Sequence, residues 1–195
     1  MSILSSMAVS ESTSSSRPRV GGAVVRKAKL PDAVNIFDLV NSLSSDGTLL
    51  RRSYAEICEN VRDFTVAESE SGVFLGCGAL HLYGPHLAEV RSIVVKPEAK
   101  GQGAGGKLLR ALLAEAEEQS VTAVSLFTRI PDFFFRHGFR VVEDRAALPD
   151  KIYKDCQVCP RLHRCDEVAM AHGVLPDVSI LGPREPVENL VRLAI

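Results

Sequence analysis

No stretch of the 195-residue chain approaches the roughly 20 consecutive apolar residues needed to cross a bilayer, so a membrane-spanning helix is not expected. Neither charge sign is in excess. With 23 basic and 24 acidic residues the formal net charge is −1, which argues against a general nucleic-acid-binding role, since that shows as a basic surplus or stripe. A locally basic pocket stays compatible with that balance. Cysteine is sparse and odd in number, at positions 58, 77, 156, 159 and 165. That is not the even set of a secreted disulfide framework, and a reducing, cytoplasmic setting is expected. The first 21 residues are serine-rich and contain a single acid, Glu11. They lack the basic start and apolar core of a secretory signal and have only a faint look of an organelle transit segment. We read residues 1–22 as a disordered tail. No internal repeat or linker divides the remainder, so residues 23–195 are expected to form one domain.

The hydrophobic pattern then gives the elements. Val24–Ala28 reads as a strand. Pro31-Asp32 opens a helix with Ala33, Ile36, Phe37, Val40 and Leu43 at helical spacing. Ser53 followed by Glu56 is a capping-box pattern for a second helix running to about Arg62. Phe64–Glu68 and Val73–Leu82 are strands around a turn at Ser71-Gly72, and Glu89–Val95 is another. Lys107–Ser120 is a helix with Leu108, Leu109, Leu112, Leu113 and Ala116 on one face. Ala123–Thr128 is a strand, Pro131–His137 a short helix closed by Gly138, and Phe139–Glu143 a strand. Beyond Leu148 the pattern breaks up, with Val187–Leu193 as a final edge strand or short helix. The order implies a mixed α/β layer around one central sheet.

Between a strand and a helix stands Lys100-Gly101-Gln102-Gly103-Ala104-Gly105-Gly106. Glycines let the backbone turn tightly and approach a ligand, and a helix start offers unpaired N–H groups with partial positive charge. Together they suit a pyrophosphate, with Lys100 and Lys107 adding charge. No Gly-Lys-Ser/Thr ends the loop, so it is not a Walker motif. A dinucleotide fingerprint belongs early in the chain, in a first βαβ unit. A plain turn would not need four glycines in six residues.

This stretch resembles motif A of the GNAT acetyltransferases, Arg/Gln-x-x-Gly-x-Gly/Ala, with Lys100 in the place of the first Arg. The resemblance implies an α/β (α+β) GNAT fold, a central mixed twisted sheet flanked by helices. It implies acetyl-CoA as co-substrate, its pyrophosphate on the amides of Lys100, Gly101, Gln102, Gly103, Ala104, Gly105 and Gly106. Its pantetheine arm would pair with Ile93, Val94 and Val95, one of whose N–H groups polarises the acetyl carbonyl. Phe133-Phe134-Phe135-Arg136-His137-Gly138-Phe139 resembles the family's Phe-Tyr-x-x-x-Gly-Phe segment, which puts Phe134 beside the cofactor in the place of the proton-donating Tyr.

Within the family, Gly47-Thr48-Leu49-Leu50-Arg51-Arg52-Ser53, the Ala88–Pro97 strand and Leu126-Phe127-Thr128-Arg129 resemble the acetyltransferase part of N-acetylglutamate synthase, without its amino-acid-kinase domain. L-Glutamate is the small-molecule substrate this implies, within arginine synthesis. Its two carboxylates need cationic forks, for which Arg is best suited. Arg51, Arg52 and Arg129 can supply them, with Thr128 as a polar partner and Arg161 or Arg164 from the later segment. The substrate ammonium must lose a proton before attack, and Glu89 matches the family's base position, with Ser92 able to hold a water. Direct transfer without an acyl-enzyme is expected.

Cys156-x-x-Cys159, His163 and Cys165 offer three sulfurs and an imidazole, a set able to bind Zn²⁺, although no metal is needed for the chemistry. Two other readings stay open. One is acetylation of a different amine, such as a peptide N-terminus or polyamine. The other is a non-catalytic acetyl-CoA sensor. No nucleic-acid or membrane partner is expected, and a homodimer paired through the last strand is.

Overall fold

Alternation and capping set the first elements. β1 (Val24–Lys27) leads through a 3-10 turn, Leu30–Asp32, into α1 (Ala33–Ser42), which buries Ala33, Ile36, Leu39 and Val40. The Ser53 side chain accepts a hydrogen bond from the Glu56 amide and starts α2 (Tyr54–Glu59). The Glu56 carboxylate bonds Arg52 instead of closing the capping box, and the helix stops at Glu59, short of Arg62, where a 3-10 turn, Val61–Asp63, takes over. β2 (Phe64–Glu68), β3 (Phe74–Gly84) and β4 (Leu87–Val95) form an antiparallel meander. α3 (Ala104–Glu118), β5 (Ala123–Thr128), α4 (Pro131–Phe135), β6 (Arg140–Val141) and β7 (Val168–Gly173) follow among the described residues.

The computed structural model describes residues 22–44, 50–144, 148, 156, 159 and 161–175. Apart from Gly22, the expected N-terminal tail lies outside them, as do Thr48 and Leu49 and the Val187–Leu193 element. Among the described residues one mixed sheet runs in the order β1-β2-β3-β4-β5-β7-β6. No described helix is long and apolar enough to cross a membrane. Phe139–Glu143, expected as a strand, is shortened to Arg140–Val141 at the sheet edge, and β7 lies between it and β5, paired antiparallel to β5 from Ala123–Gly173 to Thr128–Val168.

Helices cover both faces. α1 and α2 pack Ile36, Val40 and Ile57 onto Val66, Cys77, Ala79 and Val94. α3 and α4 pack Leu109, Leu112 and Phe134 onto Leu80, Ala88, Val90 and Leu126 on the other. Two irregularities in β4 position the site. First, two steps along β3, from Cys77 to Ala79, face three along β4, from Val94 back to Arg91. The extra residue is a bulge at Ser92, a non-glycine at φ 52°. It exchanges the faces: Ala88 and Val90 point to α3, and beyond the bulge Val94 points to α1 while Val95 joins Leu108 of α3. Gly78 lies across from it, where a Cβ would stand 3.0 Å from Leu112 and 3.3 Å from Ile93. Second, β4 and β5 pair in parallel only at Ala88–Val124 and Glu89–Ser125. The Ser125 hydroxyl donates to the Ala88 carbonyl at 3.2 Å and fastens that last contact. From Val90 onward β4 keeps β3 on one edge, and the two parallel strands splay apart.

Candidate active site

The splay leaves one edge of Val90–Val95 without a strand partner among the described residues. Alternate backbone groups of that edge are open to a ligand, as at any sheet edge. Just beyond β4 the loop reaches α3 with Gly101 at φ 79° and Gly103 at φ 83°, and no heavy atom lies within 4 Å of where either Cβ would be. Gly103 is the N-cap of α3 and brings no side chain, so no side-chain cap occupies the first amides of the helix. Lys107 donates its ammonium to the Ala23 carbonyl at 2.7 Å, which commits it to β1 rather than to the loop.

Glu89 stands at the apex of the splay and is 1% exposed. A buried carboxylate requires a donor, and the Tyr83 hydroxyl supplies one at 2.8 Å to Oε2. The His81 ring meets Tyr83 edge-on, centroids 5.0 Å apart. Arg91 is on the same face of β4 as Glu89. Its guanidinium lies 3.0 Å from His81 Nδ1, which is also 3.2 Å from Asp63 Oδ2. One ring nitrogen serves both neighbours, so the His81 tautomer selects whether it accepts from Arg91 or donates to Asp63. Ser92 is 9% exposed, and its carbonyl accepts from the Cys77 thiol at 3.8 Å. Burial pushes the Cys77 thiol up to about 12, so it is un-ionised at neutral pH.

A shallow, open concavity is lined by Arg52, Glu56, Ile57, Asn60, Phe64 and Arg91. Arg52 is held there because Asn41 on α1 clamps its backbone, Nδ2 to the Arg52 carbonyl at 2.9 Å and the Arg52 amide to Oδ1 at 3.1 Å. Arg51, expected beside it, is exposed and does not line the concavity. Successive side chains of an extended segment point to opposite sides, so only one of the two can face the site. The second cation is Arg91, which the sequence pattern did not single out as a site residue.

The other expected acceptor-site residues collect elsewhere. Thr128 ends β5, and its hydroxyl accepts from the Ile130 amide at 3.0 Å. Arg129 donates to Asp166 at 2.8 Å, and Arg161 reaches the same carboxylate at 3.4 Å. The Arg129 guanidinium holds the Asp166 carboxyl below the usual range. This cluster joins β5 to the approach to β7, and its residues do not line the Arg52–Arg91 concavity. Phe134 is 2% exposed, with Phe133 and Phe139 edge-on at 4.9 and 5.7 Å, so it packs in the core between α3 and the sheet. Cys156, Cys159, His163 and Cys165 are all described, and among the described residues no three His, Cys, Asp or Glu side chains gather into a metal-ligand set.

The Acetyltransferase (GNAT) family profile matches residues 35–139. An uncharacterized N-acetyltransferase of Chlorobaculum tepidum is 38% identical over 146 residues, 75% of this chain and 93% of the relative. An amino-acid acetyltransferase of Mycobacterium tuberculosis is 36% identical over 129 residues, covering 65% of this chain and 74% of the relative. Among solved structures, a Mycobacterium tuberculosis protein in complex with CoA superposes with a TM-score of 0.67 at 30% identity, over 78% of this chain and 99% of that one. The N-acetylglutamate synthase of Neisseria gonorrhoeae, complexed with coenzyme A and N-acetyl-glutamate, has the same fold, with a TM-score of 0.69 at 23% identity over 80% of this chain and 35% of that one.

Proposed function

The chain belongs to the GNAT acetyltransferase family and is an acyltransferase that uses acetyl-CoA, and from that premise we propose that its acceptor is the α-amino group of L-glutamate, the product being N-acetylglutamate. The observation that carries this reading is the concavity lined by both Arg52 and Arg91, on the face of β4 that also bears Glu89. Two guanidiniums suit the two carboxylates of glutamate, which neutral amino acids and polyamines lack. The relative named as an amino-acid acetyltransferase supports the same acceptor class. A place in arginine synthesis and a cytoplasmic setting go with this reading.

In the proposed reaction the thioester lies in the β4–β5 splay, its pyrophosphate on the amides of residues 100–106. Glu89 takes the ammonium proton, directly or through a water at Ser92, while Tyr83 holds the carboxylate in place. The amine attacks the acetyl carbonyl, a C–N bond forms, and the oxyanion rests on a backbone N–H of Ile93–Val95. Collapse breaks the C–S bond and releases the CoA thiolate, and the new amide nitrogen sheds its second proton to water. The ring at position 134 has no hydroxyl, so water protonates the thiolate or it leaves charged. Holding both substrates together supplies much of the rate.

The test is release of free CoA from acetyl-CoA across a panel of amino acids, polyamines and short peptides. Turnover markedly favouring glutamate is expected, and a preference for any acceptor with fewer than two carboxylates would overturn the assignment. A separate check addresses the loop. Gly103→Ala places a Cβ at φ 83°, a conformation that costs an L-residue about 1–2 kcal/mol. Steady-state kinetics should then give a rise of about tenfold in the KM for acetyl-CoA, with the acceptor KM little changed.

A further inference from the structure

The glycine loop accounts for a pyrophosphate but leaves two arginines and an imidazole beside it without a role. Arg110 lies on α3 six residues past its first residue, about 9 Å along the axis. At Gly106 the absent side chain leaves a gap. The Arg110 Nη1 and the His137 Nε2 lie 3.3 and 3.6 Å from the position a Cβ would take there. α4 is held against this turn by Phe133, whose ring is 3.7 Å from the corresponding point on Gly105 and stacks at 5.0 Å on His137. Arg136, the C-cap of α4, completes the group. Arg110 and Arg136 are exposed, and among the described residues neither side chain makes an ion pair or a hydrogen bond. Like charges so gathered repel one another. His137 shows the strain, since burial and then the charges of Arg110 and Arg136 hold its pKa below the ordinary value.

We propose that Arg110, Arg136 and His137 form a binding site for the 3′-phosphate of CoA. The pantetheine arm leaves the pyrophosphate along β4, so the adenosine end emerges over the first turns of α3, where α4 packs. The 3′-phosphate hangs one ribose away from the pyrophosphate, and the cluster stands a corresponding step beyond the loop. A dianionic phosphate there relieves the mutual repulsion of the two arginines, favours the charged form of His137, and accepts hydrogen bonds from two arginine forks. The site rests on the use of CoA alone and is independent of which amine is acetylated.

Calorimetric titration of CoA and of 3′-dephospho-CoA into the full chain, and into an Arg110→Gln/Arg136→Gln double variant, tests it without any acceptor. The parent is expected to bind CoA about tenfold more tightly than dephospho-CoA, and the double variant to bind the two within about twofold of each other. Equal affinities in the parent would overturn the proposal, because nothing would then read the 3′-phosphate. A preference that survives in the variant would assign the phosphate to other groups. An equal loss for both ligands would reduce the cluster to general attraction of anions, since the pyrophosphate is common to both. The substituted side chains are exposed, and an unchanged circular dichroism spectrum verifies the fold.

Discussion

Replacing Glu89 with glutamine is expected to lower kcat about a thousandfold while the affinity for acetyl-CoA stays within about twofold, since removal of a general base costs about 10²- to 10⁴-fold. Glutamine keeps the length of the side chain and an oxygen that accepts from Tyr83, so the 2.8 Å hydrogen bond survives and only the capacity to take a proton is lost. The position is 1% exposed, so water does not readily replace the missing base. Single-turnover acetyl transfer gives the rate, and calorimetry gives the cofactor affinity. A kcat within about tenfold of the parent would remove Glu89 from proton transfer and leave the bulge and the bound thioester as the source of catalysis. A catalytic loss accompanied by lost acetyl-CoA binding would mark Glu89 as a structural support of the splay.

Truncating the arginines should act on the other substrate. Arg91→Ala and Arg52→Ala are each expected to raise the KM for glutamate about 30-fold, equivalent to roughly 2 kcal/mol for a charged hydrogen-bonded contact, and to leave the KM for acetyl-CoA unchanged. Comparison with glutamine separates their tasks. The arginine that holds the side-chain carboxylate should, once lost, erase the preference for glutamate over glutamine. The arginine that holds the α-carboxylate should lower use of both. Arg91→Lys keeps the charge and loses the fork, so partial recovery is expected. Arg91 also touches His81 and lies 3.8 Å from Asp63, so a thermal melt must accompany the kinetics. An Arg91→Ala enzyme with an unaltered glutamate KM would leave Arg52 without a partner in this concavity and sink the two-fork pocket.

Much of this fold is local physics and was legible in residue order. The 3.6-residue spacing of Leu108, Leu109, Leu112 and Ala116 forms α3, and the Ser53 cap starts α2. The glycines at 101 and 103 declare a loop that needs left-handed backbone, and both have it. β5 was read with its observed bounds because its run is short, apolar and bordered by turn residues. β7 was missed for the converse reason. Val168–Gly173 follows a stretch dense in Cys, Pro and charge, and its strand identity comes from pairing with β5 and β6, which are distant in sequence.

The site divides in the same way. Residue order pointed to the glycine loop, to Glu89 as a candidate base and to the arginines before Ser53 as candidate carboxylate ligands, because each rests on a residue type or a motif within one segment. Tertiary structure decided which arginine lines the concavity. By composition and charge Arg51 and Arg52 are alike, only the family resemblance favours Arg52, and the Asn41 clamp from α1 holds its backbone at the concavity. Arg91 becomes its partner because the chain between them folds back, bringing β4 beside α2. Tyr83 reaches Glu89 only because β3 and β4 are a hairpin, and the cations at Arg110 and Arg136 meet only because α4 packs on α3. A short motif is fixed by the conformational preferences of its own residues. A pocket wall is fixed by the free energy of packing surfaces that lie far apart along the chain.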